Sequence, residues 1–331
     1  MISLSIIVVN YNSLSLIRDC LASLSVLKEK YAEVIIVDNS GDQPDDLLKE
    51  FPFIHWLPMN YNAGFARANN GGIRMAKGDT VLLLNPDVLE QNNAIAECYT
   101  RFKNSPSLAC GVQLLNEDHT PQVSGSYFMK GGINHLLPLP FLGNLFKWMG
   151  EQLKVKKTSV LEATGPVEVD WINGAFLMVK KNAVEKAGLL DEDFFLYFEE
   201  IEWCARIRKL GKLCLYGDLH MIHLQGATAN EAFQSEGKGY YNLFDKKGKQ
   251  ILISGMVRIR KQFGAGWFLF HLLVLLGEIP VFFFGVLFQQ MFSKKPLYSF
   301  RHVNGYCRNL FHLLRLTPRI LSGKPYFYKV I

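Results

Sequence analysis

The sequence predicts an open α/β fold, a mostly parallel sheet flanked by helices, followed by a helical region of different character. Three observations carry this reading. Short, continuous Val/Ile/Leu runs alternate with helical patterns over the first 115 residues, and such runs belong to parallel strands buried on both faces. Polar residues follow three of these runs directly, at the carboxyl ends where open α/β sheets bind ligands. Charge also divides the chain. Residues 1–237 hold 21 Lys+Arg against 28 Asp+Glu, a net of −7, whereas residues 238–331 hold 15 Lys+Arg against only Asp245 and Glu278, a net of +13. With 49% hydrophobic and 20% charged residues, a disordered chain is excluded. The asymmetry turns the basic end toward an anionic surface. A nucleic-acid partner does not fit, because the body is acidic and the basic end is apolar.

The elements follow in order. Leu4–Val9 reads as the first strand and not as a signal peptide, since no basic segment precedes it. Asn10-Tyr11-Asn12 turns into a helix near Leu14–Leu27. Val34–Val37 leads to the polar turn Asp38–Asp42, and Ile54–Leu57 is a shorter run. Phe65–Ala76 is helical and passes through Gly78 to the strand Thr80–Leu84, which Asn85-Pro86-Asp87 ends. No GxGxxG follows the first strand, so an ordinary dinucleotide fold is disfavoured. Residues 116–165 read as an irregular insertion with an apolar patch at His135–Trp148. That patch is either a packed loop or a cover for a site or membrane. Strands are expected at Val167–Trp171 and Ala175–Val179, and a helix from Glu199 to Leu210 stopped at Gly211. These elements make residues 1–237 one expected domain and residues 238–331 a second, basic one.

Several residues have the chemistry of a site. Asp87 just past a buried strand suits a hard divalent cation that keeps positions open for phosphate oxygens; the same tripeptide can equally be a turn capping a helix. Glu199, Glu200 and Glu202 open a helix, where the dipole favours them and Glu202 can pair with Arg206. The preceding run Phe194–Phe198 would set the first carboxylates at an apolar wall, which strengthens a base. Base and cap both stand on the residues alone. His223, before Gly226, is either a core histidine or a metal ligand. The six cysteines lack CxxC spacing and read as reduced cytoplasmic thiols, with no zinc site.

The order of these motifs resembles the family 2 glycosyltransferases of the GT-A fold, in their bacterial rhamnosyltransferase-like branch. The matching segments are Ile7–Asn12, Val37–Ser40, Asn62–Phe65 with Asn69-Asn70, Leu83–Asp87, Asn173–Phe176, Asp191–Glu202, and His223 with Gly226. The resemblance implies that Asn10, Tyr11 and Asp38 line a nucleotide pocket, that Asn85 lies near the ribose and Arg67 near a phosphate, and that Asn173-Gly174 borders the donor sugar. It also implies that Asp87, with His223, binds the Mg²⁺ or Mn²⁺ that bridges the donor diphosphate, and that Glu200 is the base in an inverting transfer. The family has Asp where this chain has Glu200 and Glu202, which keeps Glu199 as a second candidate base. The expected donor is dTDP-L-rhamnose or a related sugar nucleotide. The expected acceptor is a lipid-linked glycan of cell-surface polysaccharide assembly. Transfer to polyprenyl phosphate itself and a non-catalytic nucleotide-sugar-binding scaffold are the alternatives.

In the basic end, Trp267–Phe288 is long enough to cross a bilayer of about 30 Å. Glu278 and Pro280 lie within it, and eight Lys/Arg follow without an acid, against the positive-inside rule for a single span. In-plane or re-entrant helices broken near Pro280 are therefore expected. Arg308, His312, Arg315 and Arg319 fall on one helix face, as in an amphipathic helix on anionic lipid. The expected location is the cytoplasmic face of a bacterial inner membrane, held peripherally or monotopically.

Overall fold

Parallel pairing begins with the first apolar runs. In the computed structural model, residues 2–25, 31–42, 44–224, 233, 235 and 242–330 are described; Gly226 lies outside them. Strand β1 (Leu4–Asn10) and helix α1 (Leu14–Ser23) come first, then β2 (Ala32–Asp38), α2 (Asp45–Glu50) and β3 (Ile54–Pro58). Next are α3 (Gly64–Met75), β4 (Thr80–Leu84), β5 (Val88–Glu90), α4 (Ala94–Lys103) and β6 (Ala109–Leu115). Short strands β7 (Gly125–Ser126), β8 (Ser159–Val160) and β10 (Trp171–Ile172) form a small sheet of their own. The 3₁₀ turn Lys130–Leu136 and α5 (Leu142–Gln152) lie between β7 and β8. The order closes with β9 (Pro166–Val169), β11 (Phe176–Lys180), α6 (Lys181–Ala187), α7 (Glu199–Arg208), β12 (Leu213–His223), α8 (Lys246–Phe263), α9 (Ala265–Phe292) and α10 (Phe300–Ser322).

The chain forms two compact units. The first comprises Met1–Phe128, Thr158–Phe195 and Glu199–Thr228; the second comprises Met129–Lys157, Leu196–Phe198 and Ala229–Ile331. The stretch 116–165 is thus divided, its middle belonging with the C-terminal helices.

In the first unit the main sheet runs β3-β2-β1-β4-β11-β6-β12-β5, with β9 also paired to β12. Strands β3, β2, β1, β4, β6 and β12 point one way, while β11, β5 and β9 point the other. This is the expected mostly parallel sheet, mixed in its second half. Side-chain alternation divides the strands between two covered faces. Leu4, Ile6, Val8, Val34, Ile36, Leu82 and Leu84 pack with Ile17 and Leu21 of α1 and Ile95 and Phe102 of α4. Ile7 and Val37, also fully buried, meet α3 on the other face. The register sets Asn10 level with Asp38 and Val8 level with Leu84. The polar ends of β1, β2, β4 and β12 therefore share one edge of the sheet.

In the second unit the Asp245 side chain caps α8 by accepting from Gly248 N at 2.8 Å. Helix α9 buries Phe268, His271, Leu272, Leu275, Glu278, Phe282 and Val286 on one side. It runs unbroken through Pro280, contrary to the expected interruption. A helical proline costs on the order of 3 kcal/mol. Here contacts along the inner face offset it: Glu278 accepts the backbone N–H groups of Phe141 and Leu142, each at 2.9 Å. Tyr306 Oη donates to Leu275 O at 2.8 Å, and His271 Nε2 to Gly131 O at 2.9 Å.

Candidate active site

The turns after β1 and β2 are joined by side chains. Asn10 Nδ2 lies 2.7 Å from Asp38 Oδ1, 3.0 Å from Ser40 Oγ and 2.8 Å from Asp42 Oδ2. Asp38 also accepts from Ser40 N at 3.1 Å and Gly41 N at 2.8 Å. Both Asn10 and Asp38 are buried, so their main work is to shape this turn. Tyr11 is half-buried beside it. Asn39 extends the network, donating to Gly64 O at 3.0 Å and accepting from Ala63 N at 3.3 Å. Gly64 sits at φ +72°, and a Cβ there would stand 2.2 Å from Phe195 O. Only glycine lets the start of α3 approach the Phe194-Phe195 segment this closely.

A second group forms where β4 ends. Asp87 and His223 are both buried, and His223 Nε2 lies 3.4 Å from Asp87 Oδ1. The pairing of β5 with β12 sets Val88 opposite His223, and Leu224 N donates to Asp87 O at 2.9 Å. Gln122, which sequence reasoning missed, governs the imidazole. Its Nε2 donates to His223 O at 2.7 Å and Asn116 Oδ1 at 2.8 Å, so its Oε1 is the acceptor facing His223 Nδ1 at 2.8 Å. Gln122 thus engages Nδ1, and Nε2 is the ring nitrogen turned toward the Asp87 carboxylate. A carboxylate and an imidazole nitrogen that face each other at this distance can share a proton or flank a metal cation. One carboxylate and one imidazole fit a divalent ion whose other positions stay open to phosphate and water. Among the described residues no group of three or more His, Cys, Asp or Glu is gathered for a metal, so any such ion has an open shell.

The base candidates connect to this group through the turn before β11. Asn85 N donates to Ala175 O at 3.0 Å. Asn173 holds the turn, accepting from Ala175 N at 2.9 Å and donating to Val123 O at 3.3 Å. Gly174 lies against Glu200: a Cβ there would be 3.3 Å from both Cβ and Cγ of that glutamate. Glu199 and Glu200 are buried in the first turn of α7. Glu202 is occupied, held by Arg206 Nε at 2.8 Å and Nη2 at 2.8 Å, which leaves it a structural anchor. Arg67 Nε donates to Glu192 O at 3.2 Å, placing that arginine beside the Asp191–Asp193 segment. The six cysteines are free thiols; burial pushes Cys20 and Cys204 up to about 12.

Residues 5–163 match the family model described as glycosyl transferase family 2. A low-salt glycan biosynthesis hexosyltransferase (Agl10) of Haloferax volcanii is 29% identical over 62% of this chain, and the match spans 62% of the archaeal protein's own length. An N-acetylglucosaminyl-diphospho-decaprenol L-rhamnosyltransferase of Mycobacterium tuberculosis is 25% identical over 64% of this chain and 73% of its own. The crystal structure of GalNAc-T7 with UDP, GalNAc and Mn²⁺ superposes with a TM-score of 0.50 and 16% identity, over 81% of this chain and 56% of that one. That likeness is one of fold.

Proposed function

We propose that this chain, whose residues 5–163 match the glycosyl transferase family 2 model, carries out an inverting, metal-dependent transfer of a sugar to a lipid-linked glycan in bacterial cell-surface polysaccharide assembly. The donor in this reading is dTDP-L-rhamnose; the L-rhamnosyl and diphospho-decaprenol chemistry named for the mycobacterial relative supports sugar and acceptor class. The first unit is the catalytic domain. The second is the part that meets an anionic membrane, on the cytoplasmic face.

One observation carries the reading: a buried carboxylate–imidazole pair and a buried glutamate are linked through a single turn at the polar edge of the sheet. Asn10, Tyr11 and Asp38 shape the pocket for the base, Asn85 lies toward the ribose, Arg67 toward a phosphate, and Asn173-Gly174 beside the sugar. Asp87 and His223 would hold Mg²⁺ or Mn²⁺, which when bound supplies positive charge to the leaving diphosphate. Glu200 takes the proton of the acceptor hydroxyl. The freed oxygen attacks the anomeric carbon, the bond from that carbon to the diphosphate oxygen breaks, and the configuration inverts. Glu199, one residue away, is the second candidate for the proton.

A thermal-shift panel of sugar nucleotides with Mn²⁺ or Mg²⁺ tests this, because a ligand bound only by the folded state raises its stability. dTDP-rhamnose with metal is expected to give the largest shift, followed by slow donor hydrolysis. Binding without any hydrolysis or transfer would leave the scaffold alternative in its place.

A further inference from the structure

We propose that α9 lies in the plane of an anionic bilayer, seated by one apolar ridge, with the arginine face of α10 at the headgroups. This deepens the membrane reading above and rests on it. Helix α9 is two-faced along its length. Its inner side is buried in the second unit, while Leu273, Phe284, Phe288, Met291 and Phe292 are each 64–69% exposed on the outside. So large an apolar surface on a soluble protein marks an interaction site.

The choice between lying flat and spanning rests on α10. The two helices run side by side in opposite directions: the Phe300 ring is 5.5 Å from that of Phe283, the Tyr306 ring 6.0 Å from that of Phe282, and Tyr306 Oη bonds Leu275 O. Arg301, Arg308 and Arg315 recur every seventh residue of α10 and are all exposed. Were α9 to cross a bilayer, this row would cross the hydrocarbon beside it, which charged side chains strongly resist. Lying flat removes the conflict. The ridge then reaches the acyl boundary, and the arginines, with exposed Lys294 and Lys295, meet lipid phosphates. Phe311, 55% exposed with the Arg315 guanidinium 4.4 Å from its ring centre, pairs an apolar and a cationic group as an interface demands. Charge complementarity selects lipid as the occupant: Glu278 is the only acid after Asp245, and it is buried.

The test uses the full chain and vesicles of phosphatidylcholine with about 30% phosphatidylglycerol. With the half-buried Cys214 and Cys307 replaced by Ser, nitroxides are placed one at a time through Leu273→Cys, Phe284→Cys and Met291→Cys, on one helix face and with the outer two about 27 Å apart along the axis. All three are expected at one shallow depth. The double variant Phe284→Glu/Phe288→Glu is expected to lose vesicle partitioning at least about tenfold, while its thermal shift with sugar nucleotide stays that of the unaltered chain. A depth that changes progressively from one label to the next would establish a span and overturn the proposal. So would a chain that ignores vesicles and pairs with a second copy through the ridge. Loss of the sugar-nucleotide shift in the unaltered chain would instead strike the transferase reading.

Discussion

Two buried carboxylates, one in each unit, have opposite surroundings. Glu278 sits in a long apolar helix, where a sequence reader looks for function, yet two backbone N–H groups occupy both its oxygens. Asp87 sits in an ordinary-looking turn, yet faces Nε2 of a buried imidazole. The difference shows that burial alone does not mark a functional acid. What matters is whether its neighbours complete its bonding or leave it to something that arrives later. By that criterion Asp87 is the candidate at the sheet edge, where Asn10 and Asp38 complete each other's bonding. The polar residues inside the helical unit, His271 and Asn309 among them, serve backbone.

Substitution separates the two kinds. Asp87→Ala is expected to reduce transfer by at least about a hundredfold with the fold kept, because among the described residues its carboxylate accepts from no backbone N–H, its side-chain partner being His223. Activity assay and unfolding midpoint together check this. Gln122→Leu should weaken Mn²⁺ binding roughly 10- to 100-fold, as loss of a ligand-orienting partner does, measured by electron paramagnetic resonance of the free ion. Unchanged affinity would mean that His223 needs no orienting. Glu278→Leu should do the reverse of Asp87→Ala. It leaves two backbone donors without an acceptor, about 1–3 kcal/mol each, read by chemical denaturation with donor binding retained at low denaturant.

The smallest expected effect is one of pH. Burial first, and then Arg258 and His271, hold the His135 imidazole well below the usual histidine range of about 6.5. In the unfolded chain the ring takes a proton as pH falls through that value, whereas in the fold it resists. Stability therefore falls as pH drops below about 6.5, and above it the group contributes no slope. Unfolding midpoints across that range should decline in the unaltered chain and decline less in His135→Gln.

Much of the site was legible because it stands at strand ends. Continuous apolar runs marked β1, β2 and β4, and parallel pairing then brought Asn10, Asp38 and Asn85 to one edge without need of distant contacts. Gln122 was not legible. It lies in an irregular stretch, and its meaning comes from a histidine 101 residues away that β6–β12 pairing brings close. The continuity of α9 through Pro280 was hidden for a similar reason: local rules break the helix there, and packing from Phe141, Leu142 and Tyr306 keeps it whole. The pairing of Glu202 with Arg206 was visible from spacing alone, being a contact within one turn.

The central claim is that Glu200 removes the acceptor's proton at a site that Asp87 helps to charge. Turnover by Glu200→Gln with saturating sugar nucleotide, acceptor and Mn²⁺ tests it most directly, with the donor-induced thermal shift measured on the same sample. The account predicts an undiminished shift and turnover lowered by about 10²–10⁴. Near-normal turnover in that folded variant would contradict it and pass the proton to Glu199.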